Sequence, residues 1–95
     1  MKQFEVNYTN EARKALKKMD PPQSKLILKW IDKNLVGCEN PRALGEGLDG
    51  PLSQAWKYRV GKYRVIVDIV DSKVVVHVLA VGHRRDVYEK IKRKV

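Results

Sequence analysis

WKYRVGKYR, residues 56–64, decides the fold. Apolar and aromatic residues alternate with cations on both sides of a Gly61-Lys62 pair. Period-two alternation marks a strand with two unlike faces, and a Gly-X pair suits a type II′ turn. The stretch therefore reads as the tip of a hairpin, with strands over 55–60 and 63–70. A turn at 61–62 pairs Val60 with Tyr63, Arg59 with Arg64, Tyr58 with Val65 and Lys57 with Ile66. Trp56, Tyr58, Val60, Tyr63 and Val65 then share one face. Lys57, Arg59 and Arg64 share the other.

Like charges set directly opposite each other destabilise a strand pair. An anionic ligand gives the arrangement a purpose, because a phosphodiester presents negative oxygens that arginine grips with fixed, paired donors. The competing reading is a solvated basic face, with Asp68 on the same side to neutralise a neighbour.

Working toward the N-terminus, residues 37–53 carry Gly37, Asn40, Pro41, Gly45, Gly47, Gly50 and Pro51, and read as a loop. Within it GEGLDG (45–50) satisfies the dinucleotide pattern G-x-G-x-x-G. The match is rejected: no strand precedes it, Pro51 stands where a helix would propagate, and Glu46 and Asp49 would repel a pyrophosphate. Before the loop, Leu26, Ile27, Trp30, Ile31 and Leu35 form a helical stripe, opened by Pro21-Pro22 and stopped at Gly37. A shorter helix places Ala12, Ala15, Leu16 and Met19 at helical spacing, behind the capping types Thr9 and Asn10. Phe4, Val6 and Tyr8 alternate with Gln3, Glu5 and Asn7, which predicts a first strand.

Working toward the C-terminus, Asp71-Ser72-Lys73 makes a second turn. VVVHVLAV (74–81) is a nearly continuous apolar run, as expected of a central strand buried on both faces. His77 within it reads as a hydrogen-bonded structural residue rather than a base. GHRRDVYEKIKRKV (82–95) follows, with Tyr88, Ile91 and Val95 spaced for a short helix. His83, Arg84, Arg85 and Tyr88 are expected at the sheet edge near the cationic face. Tyr88 serves equally as a core anchor on pattern alone, and Arg85 has Asp86 and Glu89 nearby.

The predicted class is α+β: a small twisted, mainly antiparallel four-stranded sheet, order β-α-α-β-β-β, packed against two N-terminal helices. The 95 residues allow one domain with one core. Twenty Lys and Arg against eleven Asp and Glu leave a formal charge of +9, which favours nucleic acid or an acidic protein as partner. A single cysteine, Cys38, rules out an intrachain disulfide and suits a reducing compartment. No stretch is apolar enough for a membrane span or a secretion signal. No metal-ligand spacing, phosphate loop or cofactor motif is present, so neither metal nor cofactor is expected.

Taken together, NPR with its Gly/Leu loop (40–50), WKYRVGKYRVI (56–66) and VGHRRDVY (81–88) closely resemble the RelE/ParE superfamily of toxin–antitoxin toxins, and specifically its RelE branch. The resemblance covers essentially the whole chain. It implies a ribosome-dependent endoribonuclease (an mRNA interferase) that enters the A site of the 70S ribosome. There the ribose 2′-OH of mRNA attacks the adjacent phosphate without a metal, leaving a cyclic phosphate and a 5′-OH. By position, Lys57 and Arg59 match the family's basic pair and Arg64 its phosphate-binding arginine. Arg84 matches the arginine after the last strand, and Tyr88 the C-terminal catalytic tyrosine. Lys57, Arg64, Arg84 and Tyr88 are thus the candidate catalytic residues, and Arg59, Lys62, His83 and Arg85 the candidate RNA contacts. His83 stands where some relatives have lysine, which makes it an alternative acid or base. The resemblance also implies a cytoplasmic protein, monomeric when free, joined by a RelB-like antitoxin into a hetero-oligomer. The alternative within the superfamily is a ParE-like inhibitor of DNA gyrase without nuclease chemistry.

Overall fold

A computed structural model describes residues 3–47 and 55–83. The elements follow in the order β1 (Glu5–Tyr8), α1 (Asn10–Lys18), α2 (Pro21–Asn34), β2 (Glu46–Gly47), β3 (Ala55–Val60), β4 (Tyr63–Val70) and β5 (Val75–His83). One sheet contains all five strands in the order β1-β5-β4-β3-β2. Its pairs are antiparallel except β1 with β5, which is parallel. The architecture is the expected α+β one, with one strand more than the four predicted.

That extra strand is β2, inside the segment read as a loop. Two residues are too few to show a period, so alternation could not reveal it. Tertiary contacts make it instead. Gly45, at φ +74°, runs so close to β3 that an added Cβ would lie 2.2 Å from the Lys57 carbonyl oxygen. The glycine admits this approach, and Glu46 then pairs with Lys57 and Gly47 with Trp56. Gly45 and Gly47 thus belong to an edge strand and its entry, not to a phosphate-binding turn.

Thr9 ends β1 and begins α1. Its hydroxyl accepts from the Ala12 amide at 3.2 Å, the N-cap bond expected of threonine before a helix. α2 has prolines in its first turn, where a missing N–H costs nothing, and Gly37 closes the exit at φ +75°. Ala12 and Leu16 from α1, with Ile27, Ile31 and Leu35 from α2, pack on Tyr58, Val60, Val65, Val67, Val76 and Val78. Leu26, placed in the buried stripe by spacing, is instead 50% exposed. It stands one residue off the Ile27–Ile31 face, toward the hairpin tip and Gly61.

The hairpin has the predicted register: Val60 faces Tyr63, Arg59 faces Arg64, Tyr58 faces Val65 and Lys57 faces Ile66. Gly61 has φ +60° while Lys62 stays out of the left-handed region, as a type II′ turn requires. β5 is interior but is not the doubly buried strand. Its exposure alternates, with Val76 and Val78 buried and Val75 and His77 partly open. β4 holds the middle of the sheet, and its Arg64, Val65, Ile66 and Val67 are buried in succession. A bulge separates the Ile66–Ala80 pair from the Val67–Val78 pair and leaves Leu79 without an opposite residue.

Candidate nucleic-acid interface

Register alone brings the cations together. On β3 and β4 the helix-side face carries Tyr58, Val60, Val65 and Val67. The alternate residues, Lys57, Arg59, Arg64, Ile66 and Asp68, therefore face the other way. Part of this side is buried: Ile66 completely, Ala80 and Arg64 nearly so.

Arg64 is the unusual member. It is only 9% exposed, and its Nε is buried without a hydrogen-bond partner. Its neighbours across the two ladders are Arg59 on β3 and Gly82 on β5. One adds a like charge and the other adds no side chain. A buried guanidinium normally finds a carboxylate, because an unpaired buried donor costs about 1–3 kcal/mol. Arg64, Arg59, Lys62, Tyr63 and Gly61 line an open pocket of about 350 Å³ at the hairpin tip. Among the described residues three cations and no acid line it, a lining suited to an anion.

Lys57 stands one rung pair further from the tip and differs from the others. Its Nζ lies 3.7 Å from the Glu46 carboxylate, placed opposite it by β2. Asp68, the acid considered as a neutraliser, sits across from Ala55 and His77, diagonal to Lys57 and away from the pocket. Glu46 is the residue that sequence reasoning missed. Its only signal was an acid between two glycines in a presumed loop, and its pairing depends on the strand that period analysis could not see.

The backbone of His83 pairs with Tyr63, the rung beside Arg64 and Gly82, so β5 delivers that end of the chain to the pocket's side of the sheet. Arg84, Arg85 and Tyr88 lie outside the described residues. The structure thus gathers Arg59, Lys62 and Arg64, sets Lys57 nearby under an acid's influence, and brings the chain to His83 at the adjoining rung.

The NPR loop buttresses this layout. The Asn40 side chain accepts from the Arg42 amide at 3.1 Å, and the Pro41 carbonyl accepts from the Tyr58 hydroxyl. Trp56 Nε1 donates to the Leu44 carbonyl at 2.6 Å. Arg42 holds Asp71 with two bonds of 2.9 Å, which raises the guanidinium's already high pKa and ties the loop to the β4–β5 turn. The aromatic residues on the helix-side face of β3 thus fasten the loop that carries Glu46. Tyr58 also stacks at a tilt on Trp30, with ring centroids 5.3 Å apart. Burial drives its phenol well above the usual tyrosine range, so it stays a neutral donor.

Among the described residues no group of three His, Cys, Asp or Glu is placed to hold a metal ion, and no helix is long and apolar enough to cross a membrane.

The fold has clear counterparts among solved structures. The toxin–antitoxin complex RelBE2 from Mycobacterium tuberculosis contains a chain 28% identical, with a TM-score of 0.79, covering 88% of this chain and 94% of that one. An arginine double mutant of Escherichia coli RelE, solved in the free state, is 28% identical over 100% of both chains, with a TM-score of 0.74. A YoeB/ParE toxin from Agrobacterium tumefaciens shares the fold at 16% identity and a TM-score of 0.63, over 85% of this chain and 99% of that one. No curated protein sequence matches. A family profile described as the ParE toxin of the type II toxin–antitoxin system parDE matches residues 6–88. The chain belongs to this family, within the RelE/ParE superfamily of toxin–antitoxin toxins.

Proposed function

We propose that this toxin is a ribosome-dependent endoribonuclease that cuts mRNA in the ribosomal A site. The observation that carries the reading is Arg64, a buried guanidinium whose Nε has no hydrogen-bond partner, faced by Arg59 and opening on a pocket whose described lining carries cations and no acid. A fixed cation already stripped of water is what a phosphodiester needs as it gains charge toward a pentacovalent phosphorane. In the reaction the ribose 2′-oxygen bonds to phosphorus and the 5′-oxygen leaves, giving a cyclic phosphate and a 5′-OH. Arg64 holds the phosphate, Arg59 and Lys62 guide the strand, and Lys57 offsets developing charge. Arg84 and Tyr88 complete the set by the family resemblance, with Tyr88 helping to remove the 2′-OH proton. His83 and Arg85 add RNA contacts. No metal enters this scheme. The toxin acts in the cytoplasm, is a monomer when free, and is neutralised by a RelB-like antitoxin in a hetero-oligomer.

The test is to map mRNA 5′ ends after brief induction in a bacterial host, with Arg64→Ala beside the wild type. Cuts inside translated codons that vanish in the variant support the nuclease. Growth arrest without such cuts overturns it.

A second reading has one observation of its own, the ParE description of the matching profile. Under it the chain inhibits DNA gyrase. Arg64→Ala would then leave toxicity intact, with DNA-damage signalling in place of mRNA cleavage.

A further inference from the structure

Arg64 owes its neighbour on β5 to the bulge. From Val75 to Val78 the pairing with β4 keeps one register, ending at the Val67–Val78 pair. It resumes at Ile66–Ala80, with Leu79 passed over. A one-residue shift turns every following side chain to the opposite face of the sheet. Had the first register continued, Ile66 would face Leu79 and Arg64 would face Val81. The bulge sets Ala80 and Gly82 in those places instead. Burial agrees with the exchange: Val81 belongs to the helix-side core at 4% exposed, and Ala80 is not among its members.

The shift trades two branched side chains for a methyl group and a hydrogen. Glycine inside a strand weakens it, and marks a place where another group comes close. On this rung the other group is Arg64, at 9% exposed and with its Nε buried and unpartnered. Long cationic side chains normally carry their charged ends out to water. Arg64 does not, and its two flanking rungs are unlike. The β3 side holds Arg59, a bulky like charge, so the room beside Arg64 is on the Gly82 side.

We propose that Gly82 is a positioning residue for Arg64. The bulge at Leu79 brings Gly82 into register, and the room it leaves lets the guanidinium settle low against β5. There its Nε is held out of water for a phosphate oxygen. The inference rests on the reading of Arg64 as the phosphate ligand and adds what holds that ligand in place. A side chain at position 82 fills the room, and Arg64 swings out to be solvated like any surface arginine. The charge is kept but the fixed, dry donor is lost, and preorganisation is what gives such a donor its strength. Gly82 acts through Arg64 alone.

The test uses the full chain and a short single-stranded RNA methylated at every 2′-oxygen, which lacks the attacking hydroxyl and stays intact. Binding is measured for the wild type, Gly82→Ala, Gly82→Val, Arg64→Gln and the Gly82→Val/Arg64→Gln double variant. Gly82→Val is expected to weaken binding about tenfold, Gly82→Ala less, and Gly82→Val to add nothing once Arg64 is glutamine. The NMR signal of the Arg64 Nε–Hε group should move on adding RNA to the wild type and stay in place in Gly82→Val. The urea midpoint of Gly82→Val should hold or rise, because valine suits a strand and the released guanidinium regains water. Four results would overturn the proposal: wild-type binding in both glycine variants, an equal loss with and without Arg64, an Nε–Hε response that valine leaves unchanged, or a lowered urea midpoint, which makes Gly82 a packing residue only. The two readings fail separately. Arg64→Gln binding as tightly as the wild type removes Arg64 as the phosphate ligand. Arg64→Gln losing affinity while Gly82→Val keeps it removes the positioning alone.

Discussion

Arg59 lies directly across the hairpin from Arg64, cation facing cation on the side of the sheet away from the helices. Such a pair lowers stability by a few tenths of a kcal/mol when solvated. With Arg64 buried, the cost is larger. Arg59→Gln is therefore expected to raise the urea midpoint at low salt while weakening RNA binding. Tens of millimolar sulfate should stabilise the wild type more than the variant, because the anion performs the phosphate's role. A lower midpoint for Arg59→Gln, with no dependence on sulfate, would show that the two arginines do not repel and that the pocket holds no anion.

Glu46 sits opposite Lys57 at 3.7 Å and competes with phosphate for its charge. The carboxylate is largely exposed, so the pair itself contributes little, within about 1 kcal/mol. Glu46→Gln should tighten binding of a single-stranded RNA oligonucleotide about 2- to 5-fold. The plot of log K against log salt should steepen by about 0.7, the increment for one further phosphate neutralised on a single strand. Unchanged affinity and slope would remove Lys57 from the RNA contacts.

Wherever a segment is long enough to show its period, the fold is legible in the order of its residues. The hairpin register follows from Gly61-Lys62 because type II′ turns tie loop length to pairing, and Thr9 follows from the chemistry of caps. What escapes depends on contacts distant in sequence. β2 exists because Gly45 lets the loop touch β3 and because Trp56 and Tyr58 hold that loop by its carbonyls. Glu46 cannot be placed near Lys57 without it. Leu26 is misassigned by spacing because an apolar stripe on α2 admits two adjacent faces, and only the tertiary fit chooses the Ile27–Ile31 side. The apolar run of β5 suggests burial on both faces, yet the strand with that property is β4, whose Arg64 makes it look amphipathic. Of the site, Lys57, Arg59, Lys62 and Arg64 stand on or beside one face, as alternation requires. Arg84, Arg85 and Tyr88 lie outside the described residues.

Tyr58 gives the protein a pH signature set by its burial. Burial raises its phenol above the unfolded value near 10, so the folded state keeps a proton that the unfolded chain gives up. The resulting stability is fully present below the unfolded pKa and is lost as pH rises from there toward the folded one. The wild type should therefore lose up to about 1.4 kcal/mol per pH unit above pH 10, a loss that Tyr58→Phe does not share. At pH 7 the variant is the weaker protein by about 1–2 kcal/mol, having left the Pro41 carbonyl unpaired. The gap between the two should close in alkaline buffer. Parallel stability curves from pH 8 to 11 would mean that Tyr58 ionises as freely folded as unfolded.

Thr9 joins the two halves of the fold through one hydroxyl, which accepts from Ala12 of α1 and donates to the Val78 and Leu79 carbonyls at 3.0 and 3.1 Å. The carbonyl contacts fall beside the β5 bulge, where Leu79 lacks an opposite residue. Thr9→Val keeps the shape and removes every one of these bonds. A lost cap costs about 1 kcal/mol and the carbonyls left under-bonded add to it, for a total of about 1–3 kcal/mol. In a chain of this length that lowers Tm by about 4–8 °C for each kcal/mol. Thr9→Ser, which retains the hydroxyl, should recover most of the loss. The same comparison reports on the edge of β5 beyond its pairing with β1: amides at 79–83 should exchange faster in Thr9→Val than in Thr9→Ser, because the hydroxyl fixes the point where β1 leaves β5. Equal exchange in both variants, with equal Tm, would place the anchor of that edge in the backbone bond from Thr9 to Val78 alone.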